Sequence, residues 1–118
     1  QEATIVDGFT VNNTATGIGD TPFAAKNELM QNHPNPFNPT TTIQYAIKAA
    51  GPVSIKIYNA AGQQVRTLVN EFQTPRAQGY SVIWRGRNDM GEPVASGVYL
   101  YRLTAVGFTD VKKLVLLK

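Results

Sequence analysis

With 118 residues, 42% of them hydrophobic and 16% charged, the chain has the material for one core and too little charge for a wholly disordered protein. It has no cysteine and one histidine, His33, which excludes disulfides, thiolate zinc sites, cysteine nucleophiles and multi-histidine metal centres. The net charge of +3 is unevenly placed: residues 1–40 set Lys26 against Glu2, Asp7, Asp20 and Glu28, a net −3, while residues 41–118 set ten Lys and Arg against four acids, a net +6. No dense basic cluster suggests nucleic acid as a partner, and no run approaches the ~20 apolar residues that cross a bilayer, so membrane insertion is not expected.

The leading residues behave differently from the rest. Ile5, Asp7, Phe9 and Val11 fall on one face of a strand-like segment, Gly17-Ile18-Gly19-Asp20 forms a flexible joint, and Pro22 to Met30 is mixed in character. Pro34, Pro36 and Pro39 follow. Three prolines so close together forbid a helix and remove three backbone donors, so this stretch is expected to run extended along an edge or end of the fold. Residues 1–29 are read as an extended N-terminal arm and residues 30–118 as the folded body.

From Thr41 onward the dominant period is two, which marks half-buried strands. Ile43, Tyr45 and Ile47 alternate with polar or small residues, Gly51-Pro52 interrupts, and Val53, Ile55 and Ile57 alternate in turn. Asn59-Ala60-Ala61-Gly62 supplies turn chemistry before Val65 and Leu68. A polar loop containing Pro75 precedes Tyr80, Val82 and Trp84, which share a face, and Asn88-Asp89-Met90-Gly91 makes a turn. Val98 to Leu103 is the most strand-prone segment, read with Val98 and Leu100 on the inner face, and Gly107 permits a hairpin into Phe108 to Leu117. Apolar residues never recur at helical spacing for three turns. The body is therefore expected to be all-β, an immunoglobulin-like antiparallel sandwich of about seven strands, with Ile43, Ile55, Ile57, Val82, Trp84, Val98 and Leu100 in its core.

Candidate sites are few. Asn88 to Gly91 has oxygen ligands, but calcium takes six to eight and the nearby carboxylates are Asp89 and Glu92, so a turn is the better reading. His33 has no accompanying serine or acid in a catalytic pattern. Asn12-Asn13-Thr14 fits a glycosylation pattern that three residues match easily by chance. Gly17-Ile18-Gly19 lacks the remaining glycine and lysine of a phosphate loop and reads as a hinge. Tyr80, Trp84, Tyr99 and Tyr101 have the chemistry to stack on sugars, but their alternation sends some of them inward, and Trp84 suits a sandwich core. No catalytic residue, metal ligand or cofactor is assigned.

Five blocks carry a family resemblance: Asn35-Pro36-Phe37-Asn38-Pro39-Thr40-Thr41-Thr42-Ile43, Ile57-Tyr58-Asn59-Ala60-Ala61-Gly62, Trp84-Arg85-Gly86-Arg87-Asn88, Gly97-Val98-Tyr99-Leu100-Tyr101-Arg102-Leu103, and Lys112-Lys113-Leu114-Val115-Leu116. In order and spacing they resemble the C-terminal sorting domain of type IX secretion cargo and the similar immunoglobulin-like domain of the flagellar hook-capping protein. Arg85 departs from that pattern, which commonly has an acid there. The resemblance implies a non-catalytic sandwich exported by bacteria to the cell exterior or surface.

Two functions are expected from these features. One is a structural subunit that self-assembles by strand addition into a filament or surface layer, with Ile5, Phe9 and Val11 of Thr4–Val11 as anchors in a neighbouring copy. The other is a sorting or attachment signal read by outer-membrane secretion machinery. A carbohydrate-binding module is a weaker third reading.

Overall fold

A computed structural model describes residues 26–118 of the chain. Their strands are β1 (Glu28–Leu29), β2 (Thr41–Ala46), β3 (Gly51–Asn59), β4 (Gln64–Gln73), β5 (Tyr80–Trp84), β6 (Gly97–Ala105) and β7 (Phe108–Leu116). They form two antiparallel sheets, one ordered β1-β2-β5 and the other β4-β3-β6-β7, with no helix among the described residues. The fold is an all-β, immunoglobulin-like sandwich of seven strands.

Alternation produces the two inner faces. On β3, Val53, Ile55 and Ile57 are buried, and on β2 so are Ile43 and Tyr45. Leu114 and Leu116 of β7 join them with Trp84 at the end of β5. Phe37 packs on Trp84 with ring centroids 5.6 Å apart, and Tyr99 meets the indole edge-on at 5.3 Å. Turn chemistry sets the register. Asn59 Oδ1 accepts the Ala61 and Gln63 N–H groups in the β3–β4 turn, and Gly107, at φ 67°, lets Ala105 pair with Phe108 across the tight β6–β7 hairpin. Two register shifts between β3 and β4, after Ile55 and after Ile57, leave extra residues on β4 and bend that edge strand.

Residues 30–39 form a strap between the sheets. Met30 and His33 continue the β2 ladder, the latter exchanging both backbone bonds with Thr42. Four residues on from His33, the Phe37 N–H donates to Val115 O while its carbonyl accepts the Leu117 N–H, a parallel bridge to the outer edge of β7. Prolines occupy positions between these paired residues, where no ladder donor is needed. Beneath the strap, Asn32 Nδ2 donates to Thr41 Oγ1 at 2.9 Å and to Pro34 O at 3.1 Å, and the Tyr101 hydroxyl accepts the Asn32 N–H at 2.8 Å. Buried polar groups are tolerated here because each finds a partner.

The structure corrects two core assignments. Ile43, Ile55, Ile57 and Trp84 are buried and Val82 packs against the core from half-exposure, but Val98 is 43% exposed and Leu100 is only half-buried. Strand β6 turns its other face inward, burying Tyr99, Tyr101, Leu103 and Ala105. The tyrosines can be buried because their hydroxyls reach acceptors, Tyr99 donating to Ala95 O and Tyr101 to Met30 O. Val82 stays partly open because β5 is a sheet edge. The folded body also begins earlier than residue 30: Glu28 and Leu29 pair with Ala46 and Tyr45, and Leu29 is buried.

Candidate functional site

The residues first considered for chemistry have structural work. Asn88 Oδ1 accepts the N–H groups of Met90 and Glu92, and Asp89 Oδ1 accepts the Thr67 N–H, so the Asn88–Gly91 turn clamps onto β4. His33 is an exposed part of the strap. No group of three or more His, Asp or Glu among the described residues is arranged to hold a metal. Trp84, Tyr99 and Tyr101 are buried and offer no sugar-stacking surface, while Tyr80 stacks on Tyr45 and carries the Arg76 guanidinium over its ring. Ile5, Phe9, Val11, Asn12-Asn13-Thr14 and Gly17-Ile18-Gly19 lie outside the described residues.

What remains are the sheet edges, and the two flanks of the sandwich differ. On one flank the strap covers the end of β7, where Asn35 Oδ1 accepts the Val115 N–H and Gln31 Nε2 donates to Lys113 O. The rest of that edge is blunted. Asp110 and Lys112 occupy the inward-facing positions of β7, and Asp110 Oδ1 draws back the Val111 N–H. Inward charge on an edge strand opposes the addition of another strand.

On the other flank, β4 and β5 are the edges of their respective sheets and lie side by side without a ladder between them. The trough between them is lined by Arg66, Leu68, Ile83, Trp84, Arg85 and Arg87. The Asn88–Asp89 clamp follows Arg87 in the chain, and the Thr74–Gly79 connection, fixed by the Tyr80 hydroxyl on Thr74 O, joins β4 to β5. Among the described residues, β5 and the part of β4 beyond Thr67 make no backbone hydrogen bonds outside their own ladders. Arg66 Nη1 donates to Asn88 O and Arg87 Nη1 to Gly91 O, both neutral carbonyls, and among the described residues none of the guanidiniums of Arg66, Arg85 and Arg87 has a carboxylate partner. The trough therefore joins free strand edges, an apolar floor and unneutralised positive charge. Sequence reading missed it because Arg66 and Arg85 are brought together by the flank that β4 and β5 share.

The FlgD Ig-like domain model matches residues 37–107, more than half of the chain. The chain belongs to the FlgD Ig-like domain family. As a FlgD Ig-like domain, it is similar in fold to part of dimeric latent PorU from Porphyromonas gingivalis, at 21% identity and a TM-score of 0.61, over 86% of this chain and 10% of that one. It is also similar to part of PorZ, an essential surface component of the type IX secretion system of the same organism, at 22% identity and a TM-score of 0.50, over 85% of this chain and 12% of that one. The FlgD Ig-like domain thus spans about a tenth of each of these proteins. Comparison with curated proteins gave no match. No helix among the described residues is long and apolar enough to cross a membrane.

Proposed function

We propose that this FlgD Ig-like domain is a non-catalytic sorting or attachment module of bacterial type IX secretion, acting outside the cell or at its surface. The observation that carries this reading is the recurrence of its fold as a small part of two long proteins, one of them a surface component of that system. The five sequence blocks in family order support it, and strands β6 and β7 contribute two of them. Recognition would use exposed surface, with Lys113 and Lys118 accessible at the β7 end. To test it, the 118-residue chain is fused behind a periplasmic reporter in a type IX-competent bacterium. The reporter is expected at the surface or in the medium, and in the periplasm when the secretion system is deleted. Equal secretion by both strains would overturn the proposal.

A second reading, compatible with the first, is self-assembly by strand addition, with Thr4–Val11 donated to a neighbouring copy. The asymmetry of the flanks favours it: one is strapped and blunted, and the other, among the described residues, leaves the outer edges of β5 and of β4 beyond Thr67 without a backbone partner. Strand addition between copies is head-to-tail, and a contact of that kind that does not close produces a filament. Removing residues 1–14 is expected to leave folded monomers.

A further inference from the structure

We infer that the trough between β4 and β5 is the receiving site for Thr4–Val11 of a second copy, and that Asp7 of the incoming segment faces Arg85 there; this rests on the strand-addition reading. The donor segment has an anomaly. Ile5, Phe9 and Val11 make an apolar face suited to a groove, but Asp7 occupies the same face. A carboxylate entering an apolar groove unpaired is strongly disfavoured. The trough removes the conflict, because its lining holds both kinds of side chain: Leu68, Ile83 and Trp84 are apolar, and Arg66, Arg85 and Arg87 are cationic. Arg66 and Arg87 each have a carbonyl to bond, whereas Arg85 makes no hydrogen bond or ion pair among the described residues, which leaves its guanidinium available for a carboxylate.

Backbone and reach agree. Strand addition draws most of its affinity from main-chain bonds to an open edge, and β5 offers such an edge along its whole length. Ile83, at 46% exposure, is a large apolar side chain that an added strand would cover. The opposite flank cannot serve equally, since β7 carries Asp110 and Lys112 inward and its end is already paired by Phe37. The chain enters the fold beside β1, on the strapped flank and at the Ala46 end of β2, whereas Arg85 follows the Trp84 that pairs with Thr41 at the far end. Reaching its own trough would take the segment around the sandwich, while residues 12–25, extending up to about 50 Å, reach a neighbour directly.

The test is sedimentation velocity of the full-length chain over a concentration series, with folding of every variant checked by circular dichroism. The wild type is expected to associate. Asp7→Arg and Arg85→Asp are each expected to raise the concentration for half-association about tenfold, and the double variant to return it to within about threefold of wild type. Because the chain has no cysteine, Phe9→Cys with Ile83→Cys reports directly on the contact and is expected to give disulfide-linked multimers. If removing residues 1–14 abolishes association but Arg85→Asp does not weaken it, the trough assignment is wrong and strand donation survives. If association is absent, or is indifferent to that removal, strand donation fails and the assignment falls with it. A disulfide confined within single chains would overturn the second-copy occupant.

Discussion

Replacing Tyr101 by phenylalanine keeps a ring of nearly the same volume at the centre of the four-stranded sheet and deletes one oxygen. That oxygen donates to Met30 O at 2.7 Å and accepts the Asn32 N–H at 2.8 Å, so it ties the core of β6 to the start of the strap. Asn32 is 2% exposed and cannot turn to water. Stranding a buried donor costs about 1–3 kcal/mol, and loss of the bond to Met30 adds about 1 kcal/mol at most. We expect Tyr101→Phe to lose about 2–3 kcal/mol in urea unfolding followed by the fluorescence of Trp84, and to melt roughly 8–20 °C lower. Burial, with a smaller contribution from Asp110 and against the opposing Asn32 hydrogen bond, pushes the Tyr101 hydroxyl from 10.0 up to about 12. The fold therefore favours the neutral phenol. Its contribution to stability is complete below the unfolded value near 10 and is lost as pH rises through about 12. Two units set a ceiling of about 3 kcal/mol on this contribution. Tyr45 and Tyr99 are raised as well, chiefly by burial, so wild type and variant both weaken in alkali and the difference between them isolates Tyr101. A loss below about 0.5 kcal/mol, with the same alkaline slope in both proteins, would refute the tie between sheet and strap.

Further predictions follow from burial and backbone geometry. Trp84→Ala is expected to cost ~3–5 kcal/mol of a total near ~5–15, leaving a poorly folded domain; an unchanged melting temperature would place the indole outside the core. Val98→Thr, on the outer face of β6, should change unfolding free energy by less than about 0.5 kcal/mol; a loss above 2 kcal/mol would restore Val98 to the interior. Gly86 sits at φ 70°, and an added Cβ would stand 3.4 Å from Pro39 O and 3.5 Å from a Leu116 methyl. Gly86→Ala is accordingly expected to lose about 1–3 kcal/mol in denaturant titration, and a neutral result would show that the turn adapts freely.

Local periodicity made much of the sandwich legible. Val53, Ile55 and Ile57 point inward as their spacing requires, and Asn59 to Gly62 turns where its side chains predict. Strand β6 was harder because both of its faces are rich in apolar residues. Its sequence nevertheless held a signal: Arg102 shares the face of Val98 and Leu100, while Tyr99, Tyr101, Leu103 and Ala105 share a face without charge. A cation marks the solvent side more reliably than a tyrosine does, since a phenol can be buried once its hydroxyl is bonded. The prolines announced an extended edge segment but not the partner of Phe37, because the bridge to Leu116 leaves no local trace. The trough is likewise a product of topology, because Arg66 and Arg85 meet only where β4 and β5 share a flank.

The strap also sets the order in which the domain can close. Gln31, Asn35 and Phe37 are made early and their partners on β7 are made late. Such distant pairings are slow to form, and here they cannot begin until β7 has left the ribosome. Until then Phe37 has no edge to bond and Leu114 and Leu116 are missing from the interior. A nascent chain that ends in β6 therefore lacks both the edge that Phe37 bonds and the two leucines that close the interior, and the last strand supplies both at once.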